Sequence, residues 1–478
     1  TRPCVDNDYC DMQMKEIDGG LVPDYPANII LKEGEALVRW ICCTICEADR
    51  RHVKGDKVAK GGKSPVLGHE AVGKIRRLQS SGADGYRVGA YVAVKPHYVL
   101  KNVREKYPEE FARGEIFRLE TEHFGMSCSK GDGTMIQCSV VPLDNLVVIP
   151  PEIVKSVKKE MRGMDVHCSA VLAETEHVSC MLLGASLATY SDSVLRARLR
   201  AEDAKIAVLG GGWISYLWVI HLSLRYPKSK IHMIEPDPDR LNTFMASAYA
   251  WGGTPQVTSF HSNHDSEVGS FDWVVVCTSA RTAIERDSFR WVKVNGHISF
   301  FSGVNGGGRA MDPSGTVDVE NVHRNGLCTT AYKDSICTQP VTVSGSSGYC
   351  ERRPPNPATG QPCQPHPCFE DAIPWVEKNA KRIAAGVTGA VFGFWSDKLV
   401  VRKPRPGGET DSGRKCIKTP PVNGNSGTPI IPHLLTEDFE GRNTHLKIAT
   451  YPWAASCREY EAAHSDWDST PSPQEEGG

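Results

Sequence analysis

Several hallmarks of common protein classes are missing from this sequence of 478 residues. It has no apolar run long enough to span a membrane, and its N-terminus lacks the apolar core of a signal peptide, so we expect neither an anchor nor a leader. The 57 acidic and 55 basic residues leave a formal net charge of −2, which gives no field to attract nucleic acid or an anionic membrane. The composition, 40% hydrophobic and 23% charged, is that of an ordinary soluble globular protein.

The cysteine content does not indicate a disulfide framework. The 17 cysteines are diluted over a long chain and their number is odd, so a reducing cytoplasm is the expected compartment. Cys337, Cys350, Cys363 and Cys368 lie in a proline-rich segment at spacings that match no zinc pattern. We interpret these four as loop thiols without a shared role.

The strongest positive signal is Gly68-His69-Glu70, preceded in the chain by Cys46. A thiolate, an imidazole and a carboxylate are the ligands that a catalytic zinc uses. Cys43 and Cys46 also form a C-x-x-C motif, but the surrounding strand and loop lack the βαβ context of a thiol redox site. The remaining alternative is a buried structural cysteine beside an ordinary histidine and glutamate. We favour the metal site.

A second motif indicates a nucleotide cofactor. The apolar run at 205–209 predicts a buried parallel strand that leads into Gly210-Gly211-Gly212-Trp213-Ile214-Ser215 at the start of a helical pattern. The next predicted strand, 231–234, ends at Glu235, where dinucleotide-binding folds place the acid that binds the adenosine ribose. Strand, glycines, helix, strand and acid together predict a dinucleotide site.

With both motifs in this order, the chain resembles the medium-chain dehydrogenase/reductase family. The similarity is greatest to its zinc-dependent alcohol and polyol dehydrogenases of the sorbitol or threonine dehydrogenase type. The resemblance spans about two thirds of the chain and also includes the segments 34–38, 86–94, 124–125, 132–133, 142–146 and 296–300. It implies an α/β fold class, in which a small, mainly-β catalytic domain adjoins a doubly wound parallel-sheet (Rossmann) cofactor domain.

The pattern along the chain suggests where these domains lie. We expect the catalytic zinc domain at 1–164 and 326–404 with an irregular insert at 333–368, the cofactor domain at 165–325, and an irregular, partly disordered tail at 405–478. Residues 369–386 have a helical pattern. Residues 398–401 resemble the strand that closes the family's catalytic domain.

The family resemblance implies a ligand set for one catalytic zinc: Cys46, His69, Glu70 and Glu174. Glu70 would be either a direct ligand or a neighbour that exchanges on and off the metal. Glu174 falls where polyol and threonine dehydrogenases carry a glutamate, although a purely structural role for it is equally open. Asp49 corresponds to the aspartate that orients the zinc-bound histidine, and its alternative is a solvated loop residue.

Three departures from the family pattern concern proton transfer and a second zinc. Ala48 stands where relatives have a serine or threonine, and Arg51 stands at the relay histidine, with His52 adjacent. Proton release would therefore pass through water, His52 or Glu70, which makes Asp49, His52 and Glu70 the expected catalytic residues. The segment 98–123 contains none of the family's structural-zinc cysteines, so a structural zinc is not expected.

The glycine-rich motif assigns roles to its own residues. Gly210 would form the tight turn, Gly212 would let the backbone approach the pyrophosphate, and Ser215 is small enough for close packing of helix on strand. Trp213 is an anomaly, because it is expected to place a bulky ring beside the phosphates.

Other residues bear on the choice and placement of the cofactor. Glu235 favours NAD over NADP because a carboxylate repels a 2′-phosphate, while Arg240 nearby weakens that preference. Thr278 and Gly303 follow later strands of the predicted sheet and would contact the second half of the cofactor.

The expected activity is transfer of a hydride between a secondary alcohol and a nicotinamide cofactor. The expected partner is a small alcohol or ketone, such as a polyol, a sugar alcohol or a hydroxy amino acid, with no nucleic acid and no membrane. Association into a homo-oligomer is compatible with the sequence. The alternatives are a zinc-free reductase of the same family and a non-catalytic nucleotide-binding protein.

Overall fold

The computed structural model describes a defined subset of the chain. These residues are 13–17, 20–24, 30–47, 49, 68–79, 85–99, 121–123, 133–135, 138–162, 164, 166–200, 204–250, 257–260, 268–304, 309–324, 326–346, 348, 367–392, 398–401, 415–418 and 447–451.

Strands occur in three groups along the chain. The first group is β1 (Gln13–Ile17), β2 (Gly20–Asp24), β3 (Glu35–Thr44), β4 (Ala71–Gln79), β5 (Tyr91–Val94), β6 (His97–Val99), β7 (Thr121–His123), β8 (Cys138–Pro142) and β9 (Leu146–Ile149). The second group is β10 (Lys205–Leu209), β11 (Lys230–Ile234), β12 (Val257–Phe260), β13 (Phe271–Val276), β14 (Val292–Phe300), β15 (Cys328–Tyr332) and β16 (Pro340–Gly345). The third is β17 (Val387–Phe392), β18 (Lys398–Val401), β19 (Lys415–Lys418) and β20 (Lys447–Tyr451).

The α-helices lie mostly between the strands of the second group. They are α1 (Pro151–Glu160), α2 (Cys168–Ala173), α3 (Thr175–Ser191), α4 (Ser193–Arg198), α5 (Trp213–Arg225), α6 (Pro238–Ala250), α7 (Ser288–Trp291), α8 (Val319–Arg324), α9 (Ala372–Lys378) and α10 (Ala380–Gly386). Among the helices that the structure describes, none combines the length and apolarity needed to cross a membrane.

A seven-stranded sheet forms the cofactor domain, in the order β12-β11-β10-β13-β14-β16-β15. Its neighbouring strands run parallel except β15 and β16. All six residues of β13 are buried, as a parallel strand covered by helices on both faces requires. The doubly wound parallel sheet predicted from the sequence is confirmed. Its strand order reverses between β10 and β13, which opens a crevice at their carboxyl ends.

The second large sheet is mainly antiparallel and forms the catalytic domain. Its order is β19-β18-β17-β20-β3-β4-β5-β9, with β8 also paired to β3. Strand β3 is central, since β4 pairs along one edge while β8 and then β20 pair along the other. Most of its ten residues are buried. The mainly-β catalytic domain predicted from the sequence is confirmed.

The cofactor sheet continues beyond the boundary expected at residue 325. Strand β16 pairs parallel with β14, from His297 beside Thr342 to Phe300 beside Gly345. The expected irregular insert at 333–368 therefore begins with part of the cofactor sheet. Its composition of small and polar residues gave little strand signal, and the strand is stabilised by its pairing with β14 and β15.

The segment 405–478 also needs correction, because it is not wholly irregular. It supplies β19 and β20, and β20 lies inside the catalytic sheet between β17 and β3. Ala449 of β20 is fully buried. Five residues within a polar, proline-rich stretch form a weak sequence signal, and the neighbouring strands provide the pairing that makes them a strand. The strand predicted at 398–401 is confirmed as β18.

One apolar cluster joins the two domains. It contains Ile41 of β3 and Val72 of β4 together with Trp218 of α5 and Val275 of β13. The helical pattern at 369–386 is confirmed as a 3-10 turn followed by α9 and α10. These two helices pack on α3 and α6, so the chain returns to the catalytic sheet across the cofactor domain.

A buried polar chain fixes α4 to the cofactor sheet. Asp192 accepts a hydrogen bond from the backbone N–H of Leu195 at 2.8 Å and so caps α4. Its other oxygen lies 3.1 Å from Nδ1 of the fully buried His297. The opposite ring nitrogen lies 2.8 Å from the Ser344 hydroxyl. One carboxylate therefore serves a helix end and a buried ring at once.

We predict that Asp192→Ala lowers the free energy of unfolding by about 2–4 kcal/mol. The lost cap contributes about 1 kcal/mol, and the buried imidazole left without its partner contributes about 1–3 kcal/mol. Asp192→Asn keeps an acceptor for Leu195 and should lose less. Thermal unfolding of both variants measures the difference, and equal shifts in Tm would contradict this account.

Candidate active site

The loop after β3 and the loop before β4 meet at one end of the catalytic sheet. The strands are antiparallel, and Cys43 pairs with Ala71. Cys46 follows β3, and His69 and Glu70 immediately precede β4. Ligand-type atoms of Cys46, His69 and Glu70 all lie within 4.8 Å of one another. The structure thus brings together the three residues of the predicted metal motif.

Gly68 holds this turn in a conformation that only glycine adopts without strain. Its φ is +94°, and an added Cβ would lie 2.6 Å from the Thr134 hydroxyl and 2.8 Å from the Met135 backbone nitrogen. The Thr134 N–H donates to the Gly68 carbonyl at 2.9 Å. This close approach positions His69 and Glu70.

Asp49 connects the two loops of the cluster. Its side chain is fully buried and accepts hydrogen bonds from the backbone N–H of Cys46 at 3.1 Å and of Gly68 at 3.0 Å. Its Oδ1 also lies 3.3 Å from His69 Nδ1. Burial alone would lower the pKa of His69, but Asp49 and Cys46 raise it well above its usual value. Asp49 is therefore placed to orient His69, as the family resemblance implied.

Glu70 is fully buried and is surrounded by donors. Its Oε2 accepts from the Thr44 hydroxyl at 2.9 Å and from Lys447 Nζ at 2.6 Å. Its Oε1 lies 2.6 Å from His177 Nε2 and 3.7 Å from His69 Nε2. Burial favours the neutral acid, yet His177 and Lys447 hold the pKa of Glu70 well below its usual range.

Lys447 is a site residue that the sequence analysis missed. It is the first residue of β20, and its ammonium group also donates to the Ile45 carbonyl at 3.1 Å. Burial would lower its pKa, but Glu174 and Glu70 raise it above its ordinary value. Since Lys447 is 377 residues from Glu70, only the strand pairing brings them together.

Glu174 lies beside the cluster, at the junction of α2 and α3, and is fully buried. Its Oε2 accepts from Trp213 Nε1 at 2.6 Å and lies 2.9 Å from His177 Nδ1. Its Oε1 lies 4.0 Å from Lys447 Nζ. Among the described residues, no group of convergent ligand atoms includes Glu174, so its predicted role as a metal ligand remains a hypothesis.

A second group of ligand atoms shares Glu70 with the first. Glu70, Glu176 and His177 lie within 4.8 Å of one another. Glu176 is buried and accepts from the Cys180 thiol at 3.2 Å, and burial raises the pKa of Glu176. Glu176 and His177 were missed, although an E-x-H pattern two residues after Glu174 was visible in the sequence.

The donor set suits zinc. Zinc is held in proteins by thiolate, imidazole and carboxylate groups, and all three types converge here. Within the described part of the chain, Oε1 of Glu174 and Nδ1 of His69 are buried without a hydrogen-bond partner. A cation at the cluster would satisfy this environment, because unpartnered buried acceptors are costly.

The glycine-rich turn has the geometry that a dinucleotide site needs. Gly210 follows β10 with φ of +99°, and its Cβ position lies 3.1 Å from the Thr278 side chain. Gly212 begins α5, and no atom lies within 4 Å of its Cβ position. The helix N-terminus is thus open for an anionic group. Ser215 is fully buried within α5.

Trp213 is directed differently from the sequence expectation. Its ring is buried, stacks on Tyr216 at a centroid distance of 5.5 Å, and donates through Nε1 to Glu174. An added Cβ at Gly386 would lie 2.5 Å from the Trp213 ring. The indole therefore packs at the metal-site side of the glycine turn, and the expected ring beside the phosphates is not found.

Glu235 stands at the end of β11, against the glycine turn. Its carboxylate accepts from the backbone N–H of Gly211 at 2.5 Å and of Asp237 at 2.9 Å. Arg240 Cγ lies 3.1 Å from the Cβ position of Gly211, so it borders the same turn. Gly303 follows β14 and packs against Glu320 of α8. These positions line the crevice side of the sheet.

Three residues of the predicted proton path lie outside the described residues: Ala48, Arg51 and His52. The proposed involvement of His52 therefore stays a prediction.

Comparison with known proteins agrees with this architecture. Residues 32–151 match the alcohol dehydrogenase GroES-like domain. A ribulose-5-phosphate reductase from Bacillus spizizenii is 23% identical over 232 residues, which cover 48% of this chain and 58% of the relative. The chain thus spans a little over half the length of that curated relative.

Solved structures show the same fold at low identity. A glucose dehydrogenase from Haloferax mediterranei, solved with NADP, zinc and gluconolactone, has a TM-score of 0.56 and 16% identity, covering 92% of this chain and 98% of the other. L-idonate 5-dehydrogenase from Escherichia coli has a TM-score of 0.56 and 16% identity, with coverages of 90% and 94%. An alcohol dehydrogenase from E. coli CFT073, solved with NADH, has a TM-score of 0.58 and 14% identity, with coverages of 92% and 99%.

The GroES-like domain and the adjoining doubly wound sheet define the class of this protein. It is a member of the medium-chain dehydrogenase/reductase family, with the fold of the zinc-dependent alcohol and polyol dehydrogenases.

We predict that Gly68→Ala disrupts the cluster more than a glycine substitution elsewhere. A positive φ costs an alanine about 1–2 kcal/mol, and the approach to Thr134 and Met135 adds a steric clash. Gly89→Ala is the matched control, because Gly89 has φ of +84° and nothing within 4 Å of its Cβ position. Calorimetry and bound zinc should show a larger loss for Gly68→Ala. Equal effects would contradict the positioning role.

Proposed function

We propose that this protein is an oxidoreductase that transfers a hydride between a secondary alcohol and NAD, with one zinc ion at the Cys46, His69 and Glu70 cluster. The observation that carries this proposal is the connection between the two sites. Trp213, the first residue of the helix after the glycine turn, donates to Glu174 beside the cluster. A cofactor on the turn and a substrate at the cluster would therefore lie on one buried framework.

The chain's residues divide into holding and orienting groups. Cys46, His69 and Glu70 would hold zinc, and Asp49 would orient His69 through Nδ1. When bound, zinc supplies Lewis acidity toward a substrate oxygen, and the nicotinamide supplies the hydride acceptor. The Gly210 turn and the α5 N-terminus would receive the pyrophosphate.

Glu70 is poorly suited to proton transfer. An efficient acid or base has a pKa near the working pH, whereas His177 and Lys447 outweigh burial and hold the pKa of Glu70 well below its usual range. Both of its oxygens are also occupied by donors. Among the routes considered from the sequence, water or His52 would then accept the alcohol proton.

The substrate class we favour is polyhydroxylated. The named relatives act on ribulose 5-phosphate, glucose and idonate, all of which carry several hydroxyl groups. A glutamate near the metal, as Glu174 is here, is also what the polyol branch carries. A polyol or sugar alcohol is therefore the first substrate to test, with hydroxy amino acids next.

A zinc-free reductase is the alternative that one observation favours. Lys447 already places a positive charge on Glu70, so the carboxylate is not left uncompensated without a metal. Metal content separates the two candidates.

We predict about one zinc per purified chain and loss of most of it in Cys46→Ser, since the thiolate is a principal ligand. Cys138→Ser, which changes a cysteine of β8 outside the ligand groups, is the matched control and should keep its zinc. Elemental analysis alongside NAD reduction over a polyol panel tests both points. A zinc-free protein that reduces ketones would establish the alternative.

We predict that NAD binds more tightly than NADP because of the Glu235 carboxylate. Hydrogen bonds to charged groups contribute about 1.5–3 kcal/mol, or about 10- to 100-fold in affinity. Glu235→Ser should narrow the NAD preference, while Glu152→Ser on α1 should leave it unchanged. Titration calorimetry with both cofactors measures this, and tighter NADP binding by the native chain would overturn the assignment.

A further inference from the structure

His177 occupies a central place in the cluster that the sequence assigned to other residues. It lies in the first turn of α3 and is buried. Its Nε2 lies 2.6 Å from Glu70 Oε1, the same oxygen that lies 3.7 Å from His69 Nε2. The Cys46 side chain is hydrogen-bonded to both imidazole rings. A thiol, a carboxylate and two imidazoles therefore converge.

The two imidazoles are supported in the same way. Asp49 Oδ1 lies 3.3 Å from His69 Nδ1, and Glu174 Oε2 lies 2.9 Å from His177 Nδ1. A carboxylate at Nδ1 keeps the ring hydrogen on that nitrogen and leaves a lone pair on Nε2. This carboxylate–histidine arrangement is the one that metal-binding histidines use. In both rings the free nitrogen is turned toward Glu70.

Glu174 is engaged in a way that suits support better than ligation. Its Oε2 accepts from Trp213 Nε1 at 2.6 Å while it faces His177 Nδ1. Lys447 Nζ lies 4.0 Å from its other oxygen. A metal bound directly to Glu174 would compete with the indole N–H and the imidazole for the same carboxylate.

We propose that His177 is a direct ligand of the zinc held by Cys46 and His69, and that Glu174 is the positioning residue that orients its ring. This inference rests on the proposed function only for the presence of the metal. It changes the ligand set from one imidazole to two. Trp213 then connects the glycine turn to His177 through Glu174 and not to the metal itself.

The test is X-ray absorption spectroscopy of the zinc-loaded native protein, with metal content measured on the same samples. Multiple scattering from imidazole rings counts the histidine ligands without any assay of activity. We expect two imidazoles and one sulfur around one zinc. One imidazole and one sulfur, with oxygen donors completing the shell, would overturn the ligand role of His177.

Variants separate ligation from support. His177→Ala should remove one imidazole from the spectrum and weaken zinc binding in a chelator competition at least tenfold, by about the factor seen when metal-site partners are lost. Glu174→Gln should keep two imidazoles, because the amide oxygen still accepts from His177. His232→Gln, which alters a buried histidine of β11, is the control and should change neither measurement.

The outcomes distinguish this inference from the proposed function. A protein that binds no zinc refutes both. A protein with one zinc and one imidazole refutes the role of His177 and leaves the zinc-dependent dehydrogenase proposal intact. Two zinc ions per chain would place His177 and Glu176 on a second metal and would also overturn the single-site inference.

Discussion

The buried carboxylate of Glu70 is the constraint on which the site depends. Removing an ionised carboxylate from water costs several kcal/mol unless donors surround it. Thr44 of β3, Lys447 of β20 and His177 of α3 supply those donors. Three distant parts of the chain must therefore reach their native positions before this charge is satisfied. The cluster is consequently a product of the completed fold, although its recognisable motif is only three residues long.

The same requirement ties the two domains together. α3 leads from the cluster into the cofactor domain, and one apolar core runs from β3 to β13. Trp213 adds a polar connection, because its indole N–H reaches Glu174 from the first turn of the helix after the glycine turn. Gly386 packs on the same ring, and a side chain there would collide with it. Polar and apolar contacts thus converge where the two sites approach each other.

The sequence predicted what local patterns encode. The fold class, the central strands, the cluster of Cys46, His69 and Glu70, and the glycine turn all follow from short motifs whose spacing has a physical cause. It failed where tertiary pairing decides: β16 and β20 are short strands in polar surroundings that exist because their neighbours pair with them. Lys447 was missed for that reason, since nothing within its own segment distinguishes it from the other lysines of the tail.

The orientation of side chains was the second thing that motifs could not supply. Trp213 occupies the expected position in the glycine motif, yet its ring turns to Glu174, and Glu174 in turn faces His177. Periodicity places a residue on a helix but does not determine which of two neighbouring polar groups it meets. The ligand role assigned to Glu174 rested on position alone, and the contacts of its carboxylate now favour a different role.

The charges of the cluster explain why a divalent cation suits it. Asp49, Glu70 and Glu174 are fully buried carboxylates, and Lys447 is the lysine that faces them within the described part of the chain. Three negative groups against one ammonium leave two charges to compensate. The raised pKa values of His69 and His177 express the same deficit, since the carboxylates nearby overcome the effect of burial on both rings. A fold that concentrates negative charge around two imidazoles and a thiol therefore creates a position whose electrostatics favour a cation, and the ligand chemistry present there is that of zinc.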